Sequence, residues 1–153
     1  MSRPYERPEW FAGADAAQNC TGYFFVGIGG AGMSGIARVL HQQGFRVSGS
    51  DRTASLVTDR LVAEGIPVTI GHAHARPHEG DLIVVTDAVE LEESPEVAWA
   101  REHGRPLWRR SQALAHALRD YKVIAVTGTH GKTTTSSLLA WILEQAGLAP
   151  GFL

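Results

Sequence analysis

The chain has 153 residues, of which 44% are hydrophobic and 20% are charged, and its formal net charge is −2. This composition is globular, and the weak charge argues against nucleic acid or an anionic membrane surface as the main partner. No run approaches the ~20 apolar residues of a membrane span. The single cysteine, Cys20, cannot form an internal disulfide. We therefore expect a soluble cytoplasmic protein with no nucleic-acid and no membrane partner.

Short apolar runs alternate with helical patterns along the chain, as they do in βαβ units around a parallel sheet. Residues 1–21 show no clear period and are predicted to form a flexible tail. Strands are predicted at residues 23–28, 45–51, 66–70, 82–86 and 106–108, and helices at residues 31–43, 56–65, 95–103 and 111–120. Ser94 and Ser111 are predicted to cap the last two of these helices, and Glu96 is predicted to be an acidic residue of a first turn. The predicted fold class of residues 22–120 is α/β, a Rossmann-like parallel sheet with flanking helices.

A glycine-rich turn separates the first predicted strand from the first helix. Residues 27–32 have the sequence GIGGAG, which fits the G-x-G-x-x-G pattern of diphosphate-binding turns. Asp51 ends the next strand, where a carboxylate often accepts hydrogen bonds from a ribose, and a helix cap or turn residue is the less favoured alternative. On these features alone, the expected ligand is a nicotinamide dinucleotide.

A second glycine-rich loop follows near the end of the chain. Residues 123–126 are predicted to form a strand, residues 127–133 have the sequence TGTHGKT, and residues 132–146 are predicted to form a helix closed by Gly147. Backbone N–H groups, a helix N-terminus and the charge of Lys132 together form a cradle for the phosphates of a nucleoside triphosphate. Val126 stands where the common G-x-x-x-x-G-K-[ST] pattern requires its first glycine. Two phosphate loops in one chain predict two different nucleotides.

The two loops, together with the SGSD sequence of residues 48–51, resemble the amino-terminal part of the Mur ligases of peptidoglycan synthesis. The similarity extends from about Gly22 to the last residue. The loop around His130 resembles two branches of the family, one that joins L-alanine to UDP-N-acetylmuramate and one that recycles murein tripeptide. The GGAGMS sequence of residues 29–34 favours the L-alanine branch. A nicotinamide-dinucleotide module remains the alternative outside the family.

The resemblance implies a UDP-sugar site in residues 22–120. Asp51 would lie near the uridine, and His72 and Thr86 would line the same cleft, although both fit equally well as ordinary loop and strand-end residues. The UDP diphosphate would be held by backbone groups of Gly29, Gly30, Ala31, Gly32, Met33 and Ser34 at a helix N-terminus.

Residues 121–153 would then be the start of a truncated ATP-binding domain, consisting of its first strand, phosphate loop and first helix. Lys132 would be the catalytic residue that neutralises the β- and γ-phosphates of ATP, and the Thr133 hydroxyl would ligate Mg²⁺. The residues implied to bind ATP are Gly128, Thr129, His130, Gly131, Lys132, Thr133 and Thr134.

The implied reaction is ATP-driven amide formation, in which an acyl phosphate of the substrate carboxylate is captured by the amine of L-alanine. The family's further magnesium ligands and its amino-acid-binding domain have no counterpart in these 153 residues. We therefore expect the chain to bind UDP-N-acetylmuramate but to be inactive alone. The apolar faces of residues 123–126 and 132–146 are expected to pack on the first domain or on a second copy of the chain. Arg109 and Arg110 are expected to be solvated.

Overall fold

A five-stranded parallel sheet forms the centre of the first unit of this chain. The computed structural model describes residues 10–72, 75–86 and 89–151, and the chain divides into two units, Met1–Arg119 and Asp120–Leu153. The strands are β1 (Gly22–Val26), β2 (Arg46–Asp51), β3 (Val68–Ile70), β4 (Asp81–Val85) and β5 (Leu107–Arg109). Their order across the sheet is β3-β2-β1-β4-β5, and every neighbouring pair is parallel. The predicted fold class of this unit is confirmed.

Apolar side chains alternate between the two faces of the sheet. Tyr23 and Phe25 of β1 join one core cluster, whereas Phe24 and Val26 join the other. Every residue of β1 and β4 is buried, as expected for central strands covered on both sides. The short β3 lies at the edge of the sheet, where a proline directly before a strand is tolerated, and Pro67 occupies that position.

Four helices flank the sheet in the first unit: α1 (Met33–Gln42), α2 (Leu56–Ala63), α3 (Pro95–Glu102) and α4 (Arg110–Ala117). The predicted N-cap of α3 is confirmed, because the Ser94 hydroxyl accepts the Val97 N–H at 3.3 Å. The prediction that Ser111 caps α4 is wrong. That helix begins at Arg110, directly after β5, and Gln112 Oε1 accepts the Arg109 N–H at 2.9 Å.

Residues 10–20 differ from the flexible tail that the sequence predicts. The Ala12 N–H donates to the Leu107 carbonyl at 2.9 Å, and the Trp108 indole N–H donates to the Gly13 carbonyl at 2.9 Å. The Arg109 guanidinium stacks over the Phe11 ring at 4.6 Å. These contacts hold the segment along β5 and α4, and Ala12, Ala16 and Ala17 also pack against the core. The rest of the predicted tail, residues 1–9, lies outside the described residues.

The second unit contains one helix, α5 (Lys132–Gln145), which ends as predicted before Gly147, a residue with φ of +75°. The strand predicted at residues 123–126 is not formed. A strand needs a neighbour to pair with, and the described part of this unit, residues 120–151, contains none. Within the described ranges of the whole chain, no helix combines the length and apolarity needed to cross a membrane.

Candidate functional site

The carboxyl edge of the sheet gathers the residues that the sequence singles out in the first unit. The chain passes from β1 to β2 and β3 on one side and then returns to β4 and β5 on the other, so the strand order reverses between β1 and β4. Ligands of open α/β sheets bind in the crevice at such a reversal. Gly27 and Thr86 follow these two strands, and the Thr86 methyl lies 3.8 Å from where a Cβ on Gly27 would be.

Hydrogen bonds from the neighbouring strand fix the glycine turn at residues 27–32. The N–H groups of Gly27 and Ile28 both donate to the Ser50 carbonyl, at 2.8 and 2.9 Å. Gly27 has φ of +76°, and Gly32, which caps α1, has φ of +79°. Glycine adopts this left-handed region without the steric cost that a side chain brings. The turn is therefore held in one shape by the end of β2.

Asp51 supports the same turn. Its Oδ2 accepts the Gly29 N–H at 2.8 Å, and its Oδ1 accepts the Thr53 N–H at 3.4 Å. A Cβ on Gly29 would lie 2.9 Å from Oδ2 and 3.0 Å from the Thr58 methyl, so no side chain fits there. The resemblance implied that Asp51 lies near the uridine, and the structure shows that its carboxylate accepts a hydrogen bond from the backbone of the glycine turn.

The predicted diphosphate contacts divide into two groups. Four N–H groups already have acceptors inside the chain, namely those of Gly29, Gly30, Met33 and Ser34. Among the residues that the structure describes, the N–H groups of Ala31 and Gly32 have no acceptor, and the Ser34 hydroxyl has no partner. Ala31 and Gly32 are also exposed. The donors available to an anion are therefore concentrated at the N-terminus of α1.

His72 lies just beyond the end of β3, beside a buried carboxylate. Its Nδ1 is 2.6 Å from Glu96 Oε1, which also accepts the Ser50 hydroxyl at 2.6 Å, while Glu96 Oε2 accepts the Ser94 hydroxyl at 2.7 Å. Glu96 is 0% exposed, whereas the His72 side chain is 29% exposed. Because an ionised carboxylate can only accept, Nδ1 carries the proton in this pair. Glu96 thus fixes the orientation of the imidazole.

The hydrogen bonds to Glu96 decide its ionisation. Burial raises the pKa of this carboxyl group, but hydrogen bonds from Ser50, Ser94, its own backbone N–H and His72 stabilise the charged form, and the net pKa is lowered. No signal in the sequence pointed to Glu96 as a member of the site. Its position after Ser94 and Pro95 indicated only an acidic first turn of α3.

The loop of the second unit also presents donors. Among the described residues, no acceptor exists for the backbone N–H groups of residues 128–134. The Lys132 ammonium donates to the carbonyls of Gly128 and Thr129 and so lies against the loop. Gly131, with φ of +78°, directly precedes α5. His130, Thr133 and the other implied ATP contacts in this loop are all exposed. Seven N–H groups and one ammonium suit a polyphosphate chain.

Arg110 is half-buried beside the glycine turn, whereas the sequence predicted a solvated arginine. Its Nη1 is 3.0 Å from the position that a Cβ on Gly32 would take, at the N-terminus of α1. Arg109 also differs from a solvated arginine, because it is half-buried and stacks on Phe11. Both positions follow from β5, which ends at the same edge of the sheet as the glycine turn and contacts residues 12 and 13.

Comparison with known proteins places this arrangement in a family. Residues 23–122 match the Mur ligase family, catalytic domain. The chain belongs to the Mur ligase family. This Mur ligase chain is 50% identical over 129 residues to the UDP-N-acetylmuramate–L-alanine ligase of Laribacter hongkongensis, a match that covers 84% of the chain and 27% of that relative.

Solved structures of the family share the fold. The UDP-N-acetylmuramate:L-alanyl-gamma-D-glutamyl-meso-diaminopimelate ligase from Neisseria meningitides matches with a TM-score of 0.78 and 38% identity, over 88% of this chain and 42% of its own. The UDP-N-acetylmuramate-alanine ligase from Thermotoga maritima matches with a TM-score of 0.73 and 34% identity, over 82% of this chain and 29% of its own. The predicted family is confirmed, and the Mur ligase chain spans less than half the length of these relatives.

Proposed function

We propose that this chain is the amino-terminal part of an ATP-dependent ligase that joins L-alanine to UDP-N-acetylmuramate in peptidoglycan synthesis. The choice of L-alanine rests on the 50% identity to a curated UDP-N-acetylmuramate–L-alanine ligase. The observation that carries the binding role is the glycine turn of a Mur ligase, held rigid at the strand-order reversal with free donors at Ala31 and Gly32.

Residues 22–120 form the UDP-sugar domain in this proposal. The diphosphate lies at the N-terminus of α1, where the free N–H groups of Ala31 and Gly32 and the Ser34 hydroxyl donate to its oxygens. Asp51 keeps the turn in its binding shape through Gly29. The rest of the ligand extends along the carboxyl edge of the sheet past Thr86 and His72. Asp51 acts through the turn, and the other groups bind and orient the sugar nucleotide.

Residues 121–153 form the start of the ATP-binding domain. ATP, when bound, supplies the phosphoryl group that activates a carboxylate for amide formation. The free N–H groups of residues 128–134 and the Lys132 ammonium fit its phosphates. Thr133, in the first turn of α5, is the proposed Mg²⁺ ligand. Because the chain covers 27% of its curated relative, we propose that it is inactive alone. Self-association through α5 and a cytoplasmic location remain predictions.

A thermal-unfolding comparison with four ligands tests the binding role. UDP-N-acetylmuramate and UDP should each raise the stability of the chain, by about 2.7 kcal/mol at a hundredfold excess over the dissociation constant. NADH should have no effect, and Mg-ATP should have little. Stabilisation by NADH with none by the two UDP ligands would reject the proposal in favour of a dinucleotide module. Amide formation by the chain with ATP, L-alanine and UDP-N-acetylmuramate would reject its inactivity.

A further inference from the structure

Arg110 is positioned at the glycine turn by the fold of the first unit. It is the first residue of α4, which begins directly where β5 ends, at the same edge of the sheet as the turn. Its Nη1 lies 3.0 Å, and its Cδ 4.0 Å, from where a Cβ on Gly32 would be. The absence of a side chain at Gly32 therefore leaves room for the guanidinium beside the first turn of α1.

Among the residues that the structure describes, the guanidinium of Arg110 has no partner of opposite charge. In the described part of the chain it makes no hydrogen bond or ion pair, although it is half-buried. By contrast, Arg38 pairs with Glu64 at 2.6 Å and Arg46 pairs with the buried Asp81 at 2.7 Å. The N-terminus of a helix carries a partial positive charge. The positive charge of Arg110 is therefore repelled by the N-terminus of α1 when the site is empty. A bound anion would attract both the guanidinium and the helix N-terminus.

We propose that Arg110 is a diphosphate-binding residue of the UDP-sugar site. The guanidinium binds phosphate oxygens together with the N–H groups of Ala31 and Gly32, and its planar fork of donors matches the geometry of a phosphate. The ligand class comes from the Mur ligase family and from the glycine turn, so this inference rests on the proposed function. It adds a charge to a site that the turn otherwise builds from neutral donors.

Two substitutions and one control test the proposal. Arg110→Met removes the charge and keeps the apolar stem, Arg110→Lys keeps the charge without the fork, and Arg60→Met removes an exposed arginine in α2. Dissociation constants for UDP, UDP-N-acetylmuramate and uridine are measured by calorimetry or, for weak binding, by NMR. The measurements are made at two salt concentrations, on variants whose thermal unfolding remains cooperative.

Arg110→Met should weaken binding of UDP and of the UDP sugar by about 10- to 100-fold and leave uridine binding unchanged. The dissociation constants of Arg110→Lys for UDP and the UDP sugar should lie between those of Arg110→Met and the wild type. Binding of UDP to Arg110→Met should also depend less on salt, and Arg60→Met should match the wild type. Wild-type affinity for UDP in Arg110→Met, or an equal loss for uridine, would overturn the role of Arg110 alone. Failure of the wild type to bind UDP would instead reject the proposed function.

Discussion

The two glycine loops of this chain differ in how their shape is held. In the turn at residues 27–32, most N–H groups bond to the chain itself, to Ser50, to Asp51 and within the turn, and the flanking β1 is fully buried. In the loop at residues 128–131, no N–H group has an acceptor among the described residues, and the following α5 buries none of its residues. A glycine-rich loop is thus held in one shape in the first unit and lacks such hydrogen bonds among the described residues of the second.

This difference indicates that a glycine-rich loop obtains its shape from the sheet around it. Preorganised donors bind an anion without a further ordering cost, whereas an unsupported loop must be ordered as it binds. Large apolar residues of the second unit also remain exposed, with Leu138 at 56%, Trp141 at 60% and Ile142 at 54%. We therefore expect the first unit to bind its nucleotide in isolation and the second to need more of its domain.

The largest expected effect on stability comes from a substitution in β2, the strand that supports the first glycine turn. A Cβ on Gly49 in β2 would lie 2.5 Å from the Phe25 carbonyl oxygen and 2.9 Å from the Ile28 Cβ. Gly49→Ala should lower the free energy of unfolding by about 3 kcal/mol, because neither backbone can move without disturbing the sheet. Gly151→Ala, where nothing lies within 4 Å, is the control and should change it by less than about 0.5 kcal/mol. If urea unfolding shows the same change in the free energy of unfolding for Gly49→Ala and Gly151→Ala, the contrast between a tightly packed first unit and an unsupported second unit is wrong.

A smaller effect is expected at the buried carboxylate. Glu96→Gln keeps the shape but removes the charge that Ser50, Ser94 and His72 stabilise, and it should cost about 2 kcal/mol at pH 7. The control Glu102→Gln, at the exposed end of α3, should cost almost nothing.

The contribution of the Glu96 charge to stability can also be tested through its pH dependence. The pKa of Glu96 is lowered in the folded state, so the unfolded state binds more protons once the pH falls below the ordinary glutamate value of about 4.3. The stabilisation is therefore complete above that pH and is lost as the pH falls through the folded pKa. Urea unfolding between pH 7 and pH 3 should show a shallower loss in Glu96→Gln than in the wild type. Parallel curves would show that Glu96 is not the group responsible.

The smallest expected effect concerns the carboxylate that holds Gly29. Asp51→Ala removes the acceptor of the Gly29 N–H and should lower the free energy of unfolding by about 1 kcal/mol. Asp51→Asn keeps an acceptor in place and should recover most of that loss. If Asp51 supports the turn, Asp51→Ala should also weaken UDP binding while Asp51→Asn largely preserves it. Loss of binding in both variants without loss of stability would instead indicate a direct contact with the ligand.

Most elements of the first unit could be predicted because each has a local signal. The strands are apolar runs, α1 has its buried residues Met33, Ile36 and Leu40 at helical spacing, and the turn between them is rich in glycine. The observed bounds differ from the predicted ones by a few residues at most. The family could also be predicted, because two phosphate loops with these sequences in one chain are a specific combination.

The contacts that define the site had no such signal. Arg110 meets Gly32, and Glu96 meets His72, only after the parallel sheet brings four separate strand ends to one edge. Residues 10–20 pack through hydrogen bonds to Leu107 and Trp108 and through small apolar side chains, among them Ala12, Ala16 and Ala17, that contact the core. Hydrogen bonds to residues so distant in the sequence cannot be read from the segment itself. The strand predicted at residues 123–126 failed for the opposite reason, because its apolar sequence needs a neighbouring strand that the described unit lacks.

The most direct test of the binding role is an amide-resolved NMR titration of the chain with UDP-N-acetylmuramate. If the glycine turn of the first unit is the diphosphate site, the amide signals of Ala31, Gly32 and Ser34 should shift in a saturable way, while those of residues 128–134 stay unchanged. Unchanged signals at residues 31–34, or shifts confined to residues 128–134, would contradict the assignment of the UDP-sugar site.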